Sequence, residues 1–253
     1  MSSFNIGSND TAGIARQGLV GRTLERLFLQ PVRVVAVNSV SARFRFIDLE
    51  CVAFEGRQWF PGQKLQVKTG GTLETRTYTP LRWDAARGVT RIMAFAHGEG
   101  PGSEWVRRAR TGDQCQVFGP RRSLDLETQP ASTVLFGDET SFGLAASLCG
   151  RNAAGHGVQA VFEVGAIAES RQVLDALGIQ PLALMERRTD DSHLAELQSA
   201  MTGAGTPNEN AHYVLTGKAS SIRQMSHALK AQGVQAKRIQ AKAYWAAGKR
   251  GLD

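Results

Sequence analysis

Short segments in which apolar and polar residues alternate fill the first half of the chain. Between residues 31 and 119 these segments are rich in β-branched and aromatic residues, as in "RFRFIDLE", and turn-forming stretches such as "TGGT" and "RTGD" separate them. Such a pattern predicts an antiparallel barrel of six strands, with one helix over residues 102–109. The predicted strands occupy residues 32–40, 42–50, 63–69, 75–81, 90–98 and 113–119.

The pattern changes after Pro130, where apolar strands alternate with amphipathic helical segments. This alternation predicts a parallel sheet covered by helices, as in a Rossmann-like domain. Asp191 or Ser192 is expected to cap the third of these helices. The predicted strands occupy residues 132–138, 158–165, 181–186, 211–217 and 237–245, and the helices 139–151, 169–178, 191–201 and 219–233.

The two patterns divide the chain into a flexible tail (1–20), a barrel domain (21–123) and an α/β domain (131–253). The tail lacks the charged start and apolar core of a signal peptide, and no run of 18 apolar residues occurs anywhere. We therefore expect a cytoplasmic protein that does not enter the membrane.

The net charge of +7 is unevenly distributed. Residues 21–123 contain 17 Lys and Arg against 9 Asp and Glu, whereas residues 124–253 contain 12 against 13. Because no Lys-rich run or nucleic-acid motif is present, this excess favours an anionic small molecule over nucleic acid or a membrane surface. The three cysteines have no metal-ligand spacing, so neither a metal site nor an iron–sulfur cluster is expected.

A barrel followed by a dinucleotide-type domain is one way to bring a flavin and a nicotinamide nucleotide together. The strand "RTYTP" contains Arg76, Tyr78 and Pro80 on one face and Thr77 and Thr79 on the other. An arginine fork matches a pyrophosphate, a tyrosine ring can stack on an isoalloxazine, and Thr79 could reach the flavin edge. The alternative is an ordinary strand, since Thr and Tyr are good strand formers.

A second candidate segment is "HGEGPGSEWVRRA", which leads from a strand into the predicted helix. Gly98, Gly100 and Gly102 allow close approach of a ligand to the backbone. Ser103 is the expected N-cap, and the free amides of the first helical turn suit a phosphate. The alternative is a simple turn.

Four segments in the same order resemble the siderophore-interacting protein family, whose members are FAD-containing ferric-siderophore reductases of the ferredoxin–NADP reductase superfamily. The segments are "RTYTP", "HGEGPGSEWVRRARTGDQCQVFGPRRS", "VLFGDETSF" and "AYWAAGKRG", within residues 20–250. The resemblance implies a six-stranded FAD-binding barrel, an NAD(P)H-binding α/β domain, and electron transfer from NAD(P)H through FAD to Fe(III), which releases Fe(II).

The resemblance also implies roles for individual residues. Tyr78, Thr79, Tyr244 and Trp245 are the implied catalytic residues beside the flavin. Leu81 stands where the family often has arginine, and the short C-terminus is the form associated with NAD(P)H use. For Asp138 and Glu139, helix capping is the alternative. The implied cofactor-binding residues are Arg76, Thr77, Tyr78, Thr79, His97, Gly98, Pro101, Gly102, Ser103, Trp105, Asp138, Glu139 and Thr140.

Cations are the candidates for two further contacts. A bulky anionic siderophore is expected to meet Lys64, Lys249 and Arg250, within a wider basic rim that includes Arg57, Arg121 and Arg122. Candidates for an NADPH 2′-phosphate are Arg187, Arg188, Lys218 and Arg223. Each of these residues has the alternative of a solvated surface charge.

Two other functions remain open from the sequence. One is a flavin reductase that exchanges electrons with ferredoxin or another carrier protein. The other is a non-catalytic siderophore-binding module. Whichever function applies, we expect the protein to be a monomer.

Overall fold

The computed structural model describes residues 29–69, 74–126, 132–150, 157–203 and 210–248. These residues form one antiparallel and one parallel sheet, in that order along the chain. The predicted tail, residues 1–20, lies outside them. Among the described helices, none is both long enough and apolar enough to span a membrane.

The first sheet has seven strands, and all of its pairings are antiparallel. The strands are β1 (Gln30–Ser39), β2 (Phe44–Glu50), β3 (Gln63–Lys68), β4 (Thr75–Tyr78), β5 (Pro80–Asp84), β6 (Val89–Phe95) and β7 (Gln114–Arg122). Their spatial order is β4-β3-β7-β1-β2-β6-β5. Helix α1 (Pro101–Arg108) connects β6 to β7.

The chain passes from one end of this strand order to the other at Thr79. β4 ends at Tyr78 and pairs with β3, whereas β5 begins at Pro80 and pairs with β6. Consecutive strands at opposite ends of the order require the sheet to curl until its ends meet, which confirms the predicted antiparallel barrel. The strand predicted over residues 75–81 is divided because Pro80 has no N–H for a continuous ladder. The strand count is therefore seven rather than six.

Two predicted side-chain caps are absent from the described helices. Gly100 is the N-cap of α1 and Pro101 occupies its first position, so Ser103 lies inside the helix and is buried. Proline suits that position because its fixed φ is helical and no N–H is lost. Ser192 is the N-cap before His193, but its side chain bonds to Asp190 instead of capping the helix.

The second sheet has five strands, and its pairings are parallel. This confirms the predicted α/β architecture. The strands are β8 (Ser132–Gly137), β9 (Gly157–Val164), β10 (Ala183–Glu186), β11 (Ala211–Lys218) and β12 (Ile239–Trp245). The helices are α2 (Phe142–Cys149), α3 (Ile167–Ala176), α4 (His193–Thr202) and α5 (Ala219–Ala231).

The strand order of the second sheet reverses between β8 and β11. The order is β10-β9-β8-β11-β12, so the chain moves outward in one direction from β8 and then returns to build the other side. In open parallel sheets, ligands bind at the carboxyl ends of the strands where the order reverses. We call this edge of the sheet, where residues 138–140 follow β8 and residues 217–218 end β11, the switch-point crevice.

An apolar cluster joins the two sheets. Phe44 of β2 stacks on Phe95 of β6, with ring centroids 4.3 Å apart, and lies 6.1 Å from Phe142 at the start of α2. Phe142 meets Phe162 of β9 edge-on at 4.8 Å. Burial of each large aromatic ring contributes about 2–3 kcal/mol, so this cluster fixes the barrel against the α/β domain.

Candidate functional site

Arg76 of β4 lies directly against the first turn of α1. A β-carbon added to Gly102 would be 2.6 Å from Arg76 Nε and 2.7 Å from its Cγ, so only glycine leaves room for the arginine. The guanidinium also donates to the carbonyl of Thr75, at 2.8 Å. Because the first amides of a helix have no intrahelical acceptor, Arg76 and the start of α1 together present positive charge and N–H donors.

His97 and Gly98 lie in the loop before α1, next to this arginine. His97 is exposed as a whole residue, but its ring is partly covered, with its centroid 5.8 Å from that of Phe95. Partial burial of the ring and the Arg76 charge lower the pKa of His97. Arg107 Nη1 donates to the Gly98 carbonyl at 3.0 Å and holds the loop on the helix. The structure thus brings the two predicted segments, 76–80 and 97–109, together.

Tyr78 is packed on the barrel side by Trp105 of α1. The two ring centroids are 5.9 Å apart, with the planes inclined at 40°. Both rings are partly buried and pack against the core of the barrel. Burial raises the pKa of Tyr78, so its hydroxyl stays protonated. Thr77 lies opposite Gln66 of β3 in the sheet.

Thr79 links the barrel to the α/β domain. Its side chain hydrogen-bonds to Tyr244, near the end of β12, and its carbonyl lies 3.3 Å from where a β-carbon of Gly143 would be. Burial also raises the pKa of Tyr244. The boundary between β4 and β5 is thereby fixed to the carboxyl end of β12.

Four of the predicted basic residues surround Gly119 and Pro120, and we call Arg57, Lys64, Arg121 and Arg122 the basic cluster. Lys64 pairs with Arg121 across β3 and β7. It precedes Leu65, which lies opposite Tyr78 across β3 and β4. Arg57 Nη1 donates to the Gly119 carbonyl at 3.3 Å.

Members of the basic cluster differ in exposure. Lys64 is only 8% exposed, whereas Arg57 is exposed and Arg121 is partly buried, 4.3 Å above the ring of Phe118. Arg122 pairs with Asp125 at 3.5 Å. The other two predicted substrate residues, Lys249 and Arg250, lie outside the described residues.

Asp138 is a buried carboxylate at the switch-point crevice. Its Oδ2 accepts a hydrogen bond of 2.6 Å from Trp245 Nε1, and its Oδ1 accepts one of 2.9 Å from the Thr140 amide. The carboxylate lies over Gly217, where a β-carbon would be 2.5 Å away. Burial raises the pKa of Asp138 to about 6, although the bonds from Thr140 and Trp245 oppose that rise. Asp138 thus caps the short turn over Glu139–Ser141 and also holds Trp245.

Glu139 is buried too, but it faces away from that turn. Its Oε1 accepts from the Gly165 amide at 2.6 Å, and its Oε2 accepts from Arg187 at 3.1 Å. The capping alternative therefore describes part of the role of Asp138 and does not describe Glu139.

The four cations considered for a 2′-phosphate have different surroundings. Arg187 is engaged by Glu139 and lies 5.5 Å over the Trp245 ring. Lys218 bonds to Asp191 at 2.9 Å. Arg188 and Arg223 are more exposed, and Arg188 pairs with Glu196 at 3.0 Å.

Two buried residues near this site escaped the sequence analysis. Glu163 of β9 and His193 of α4 are 0% exposed, and they are 2.7 Å apart between Oε2 and Nε2. A glutamate inside the apolar strand "VQAVFEVG" was the available signal, because a buried charge is rare without a partner.

Comparison with protein families matches both halves of the chain. Residues 55–124 match the family model of the siderophore-interacting FAD-binding domain, and residues 130–248 match that of the siderophore-interacting protein. The first match covers most of the barrel and contains Arg76, Tyr78 and α1. The second covers the parallel sheet and contains Asp138 and Trp245.

A curated relative and several solved structures are similar to the chain. The NADPH-dependent ferric-chelate reductase of Escherichia coli (strain K12) is 29% identical over 178 residues, which span 68% of this chain and 66% of that protein. A siderophore utilization protein from T. fusca has a TM-score of 0.74 at 24% identity and covers 89% of this chain and 95% of its own. The siderophore-interacting protein SipS from Aeromonas hydrophila has a TM-score of 0.69 at 18% identity, with coverages of 88% and 93%.

A more distant structure shares the same architecture. Phthalate dioxygenase reductase has a TM-score of 0.69 at 12% identity and covers 89% of this chain and 71% of its own. At such identities the likeness concerns the fold. The two family matches, in contrast, follow each other along the chain, the first on the antiparallel sheet and the second on the parallel sheet. The chain therefore belongs to the siderophore-interacting protein family.

Proposed function

We propose that this chain is a flavoenzyme that reduces ferric siderophores, passing electrons from NAD(P)H through FAD to Fe(III) and releasing Fe(II). The observation that carries the proposal is the contact of Arg76 with Gly102, which builds an anion cradle beside Tyr78 and Thr79. The family assignment and the ferric-chelate reductase activity named for the E. coli relative support it.

The residues around the cradle fit FAD. Arg76 and the first amides of α1 fit a pyrophosphate, because they combine a guanidinium fork with free backbone donors. His97, Gly98, Pro101, Gly102 and Ser103 form that side of the site, and Tyr78, supported by Trp105, offers a ring for stacking. The chemistry that FAD supplies when bound is the conversion of a two-electron hydride donor into single electrons for Fe(III).

The switch-point crevice fits a nicotinamide nucleotide. It lies where parallel sheets bind dinucleotides, and Tyr244 ties its edge to Thr79 beside the flavin cradle. Thr140 is the partly exposed residue on its β8 side, and the buried carboxylates of Asp138 and Glu139 lie beneath it. Of the four cations considered, Arg188 and Arg223 are the more exposed, which leaves them accessible to a 2′-phosphate of NADPH.

The basic cluster fits an anionic ferric chelate next to that cradle. Lys64 contributes positive charge beneath the surface. Arg57, which is exposed, and Arg121, which is partly buried, are the members proposed to touch the chelate. Lys249 and Arg250, close behind the Tyr244–Trp245 pair in sequence, complete the proposed rim. Once reduced, iron is held less tightly by hard oxygen ligands, so release follows reduction.

The experiment that tests this proposal mixes NADPH-reduced protein with ferric chelates of different charge in an anaerobic stopped-flow instrument. We expect reoxidation by ferric siderophores. The paired change Arg57→Gln with Arg121→Gln should slow anionic chelates by about tenfold and spare neutral ones. Arg33→Gln, which removes an exposed charge paired with Glu50, is the matched control. Failure of every ferric chelate to reoxidise the protein contradicts the proposal.

The same experiment separates the remaining functions. Reoxidation by a ferredoxin but not by ferric chelates would identify an electron-carrier reductase. A protein that binds ferric siderophore without FAD would be a binding module. The predicted domain limits, a cytoplasmic location and a monomeric state stay as parts of this proposal.

A further inference from the structure

Four charged or titratable side chains form a buried chain beneath the switch-point crevice. Glu139 accepts a hydrogen bond from Arg187 Nη2 at 3.1 Å, and Arg187 Nε is 3.8 Å from Glu163 Oε2. The same oxygen of Glu163 is 2.7 Å from His193 Nε2. His193 Nδ1 accepts from the Arg188 amide at 3.2 Å, so Nε2 carries the ring hydrogen and donates it to Glu163.

This buried chain is a poor way to stabilise a fold. Glu163 and His193 are 0% exposed, Glu139 is 4% exposed, and the Arg187 side chain is 21% exposed. Within the part of the chain that the structure describes, Glu163 Oε1 and Arg187 Nε are buried without a hydrogen-bond partner. Apolar residues of similar volume usually stabilise such a position as well or better. A role in orienting another group accounts for retaining the charges.

This buried chain of side chains contacts Trp245 through Arg187. The Arg187 guanidinium lies 5.5 Å above the centre of the indole ring, while the indole N–H donates to Asp138 at 2.6 Å. The ring is therefore held on its face by a cation and at its edge by a carboxylate. A cation over an indole face is attracted to it more strongly when the pair is removed from water. The adjacent Tyr244 bonds to Thr79 beside the flavin cradle.

We infer that Arg187, held by Glu139 and by the Glu163–His193 pair, is a positioning residue that fixes the indole of Trp245 at the edge of the nicotinamide site. Glu163 and His193 act through Arg187 and do not touch the nucleotide. The inference rests on the proposed use of NAD(P)H in the switch-point crevice. A loosened indole narrows the space for the nicotinamide, and weaker ground-state binding then raises KM more than it lowers kcat.

The test uses the FAD-loaded protein labelled with 5-fluorotryptophan. The protein has four tryptophans, so four ¹⁹F resonances are expected. Trp245→Phe identifies the Trp245 resonance in the ¹⁹F NMR spectrum. We expect Glu163→Gln to shift or broaden that resonance alone and to raise the KM for NADPH about fivefold, with kcat changed less than twofold. Arg187→Lys keeps the charge but loses the planar guanidinium over the ring, so it should act in the same direction.

Glu50→Gln is the matched control, because it neutralises an exposed glutamate on the barrel. It should leave the four resonances and both kinetic constants unchanged. A Trp245 resonance that stays in place in Glu163→Gln and Arg187→Lys overturns the inference, as does a moved resonance with an unchanged KM for NADPH. If the unaltered protein does not oxidise NADPH at all, the proposed function fails, whereas the resonances still report on whether Arg187 orients Trp245.

Discussion

Arg76 and Gly102 are so close that a β-carbon at position 102 would stand 2.6 Å from Arg76 Nε. The two residues come from different elements, the short strand β4 and the first turn of α1. Their contact turns two ordinary features, a strand arginine and a helix N-terminus, into one anion-binding surface. The effect of this contact on FAD binding can be measured separately from its effect on folding.

Gly102→Ala should weaken FAD binding at least tenfold without unfolding the protein. The added methyl group displaces the Arg76 side chain from the helix start, whereas alanine itself favours a helix over glycine. Titration of the flavin-free protein with FAD, followed by flavin fluorescence, measures the effect. Gly157→Ala is the control, because a β-carbon there meets nothing within 4 Å. Equal FAD affinity in the two variants would contradict the assignment.

Arg76→Lys should also weaken FAD binding, by about tenfold. Lysine retains the charge but loses the planar fork that pairs with two phosphate oxygens. Isothermal titration with FAD measures the loss, and Arg33→Lys, an exposed residue of β1, provides the comparison. If Arg76→Lys binds FAD as tightly as the unaltered protein does, the guanidinium is not the pyrophosphate ligand.

Glu169→Ala should destabilise the protein by about 2 kcal/mol. Glu169 of α3 accepts from Ser41 Oγ at 2.6 Å and from Arg43 Nε at 2.7 Å, and so it clasps the β1–β2 hairpin onto the α/β domain. Urea unfolding measures the difference. Glu50→Ala breaks an exposed pair with Arg33 and should cost less than about 1 kcal/mol. Equal losses would show that the clasp adds nothing beyond a surface ion pair.

The difference in the free energy of unfolding between the unaltered protein and the Asp138→Asn variant should depend on pH. Burial raises the pKa of Asp138 to about 6 from 3.8, so the folded state retains a proton that the unfolded state has lost. The resulting stabilisation is present below pH 3.8 and disappears as the pH rises through 6. The unaltered protein should therefore gain about 2 kcal/mol on the variant between pH 7.5 and pH 4.5. Thermal unfolding at both values measures the gain, and a constant difference would show that Asp138 titrates normally.

The order of strands and helices could be predicted because hydrophobic periodicity is local. The helix predicted over residues 219–233 is α5 (Ala219–Ala231), and the strand predicted over residues 211–217 is β11. The break at Thr79 was not predictable, because β4 and β5 pair with strands that are remote in the sequence. The Gly100–Pro101 start of α1 did carry a signal, proline at the first helical position, which the choice of Ser103 overlooked.

The site was predictable only where one segment carries its chemistry. "RTYTP" and "HGEGPGS" each suggested a phosphate contact, and the fold brings them together. The buried chain through Glu163, Arg187 and His193 combines a strand, the loop after β10 and a helix, and no spacing in the sequence reveals it. Arg187 accordingly looked like a phosphate ligand, whereas in the fold two carboxylates engage it.

The most direct measurement of the central claim is an anaerobic electron count on the purified, FAD-loaded protein. NADPH should bleach the flavin absorbance, and a ferric siderophore should restore it. A ferrous chelator present in the mixture should trap about two Fe(II) for each NADPH oxidised, because a hydride carries two electrons. A protein that binds no FAD, or whose reduced flavin persists when ferric siderophore is added, would contradict the account.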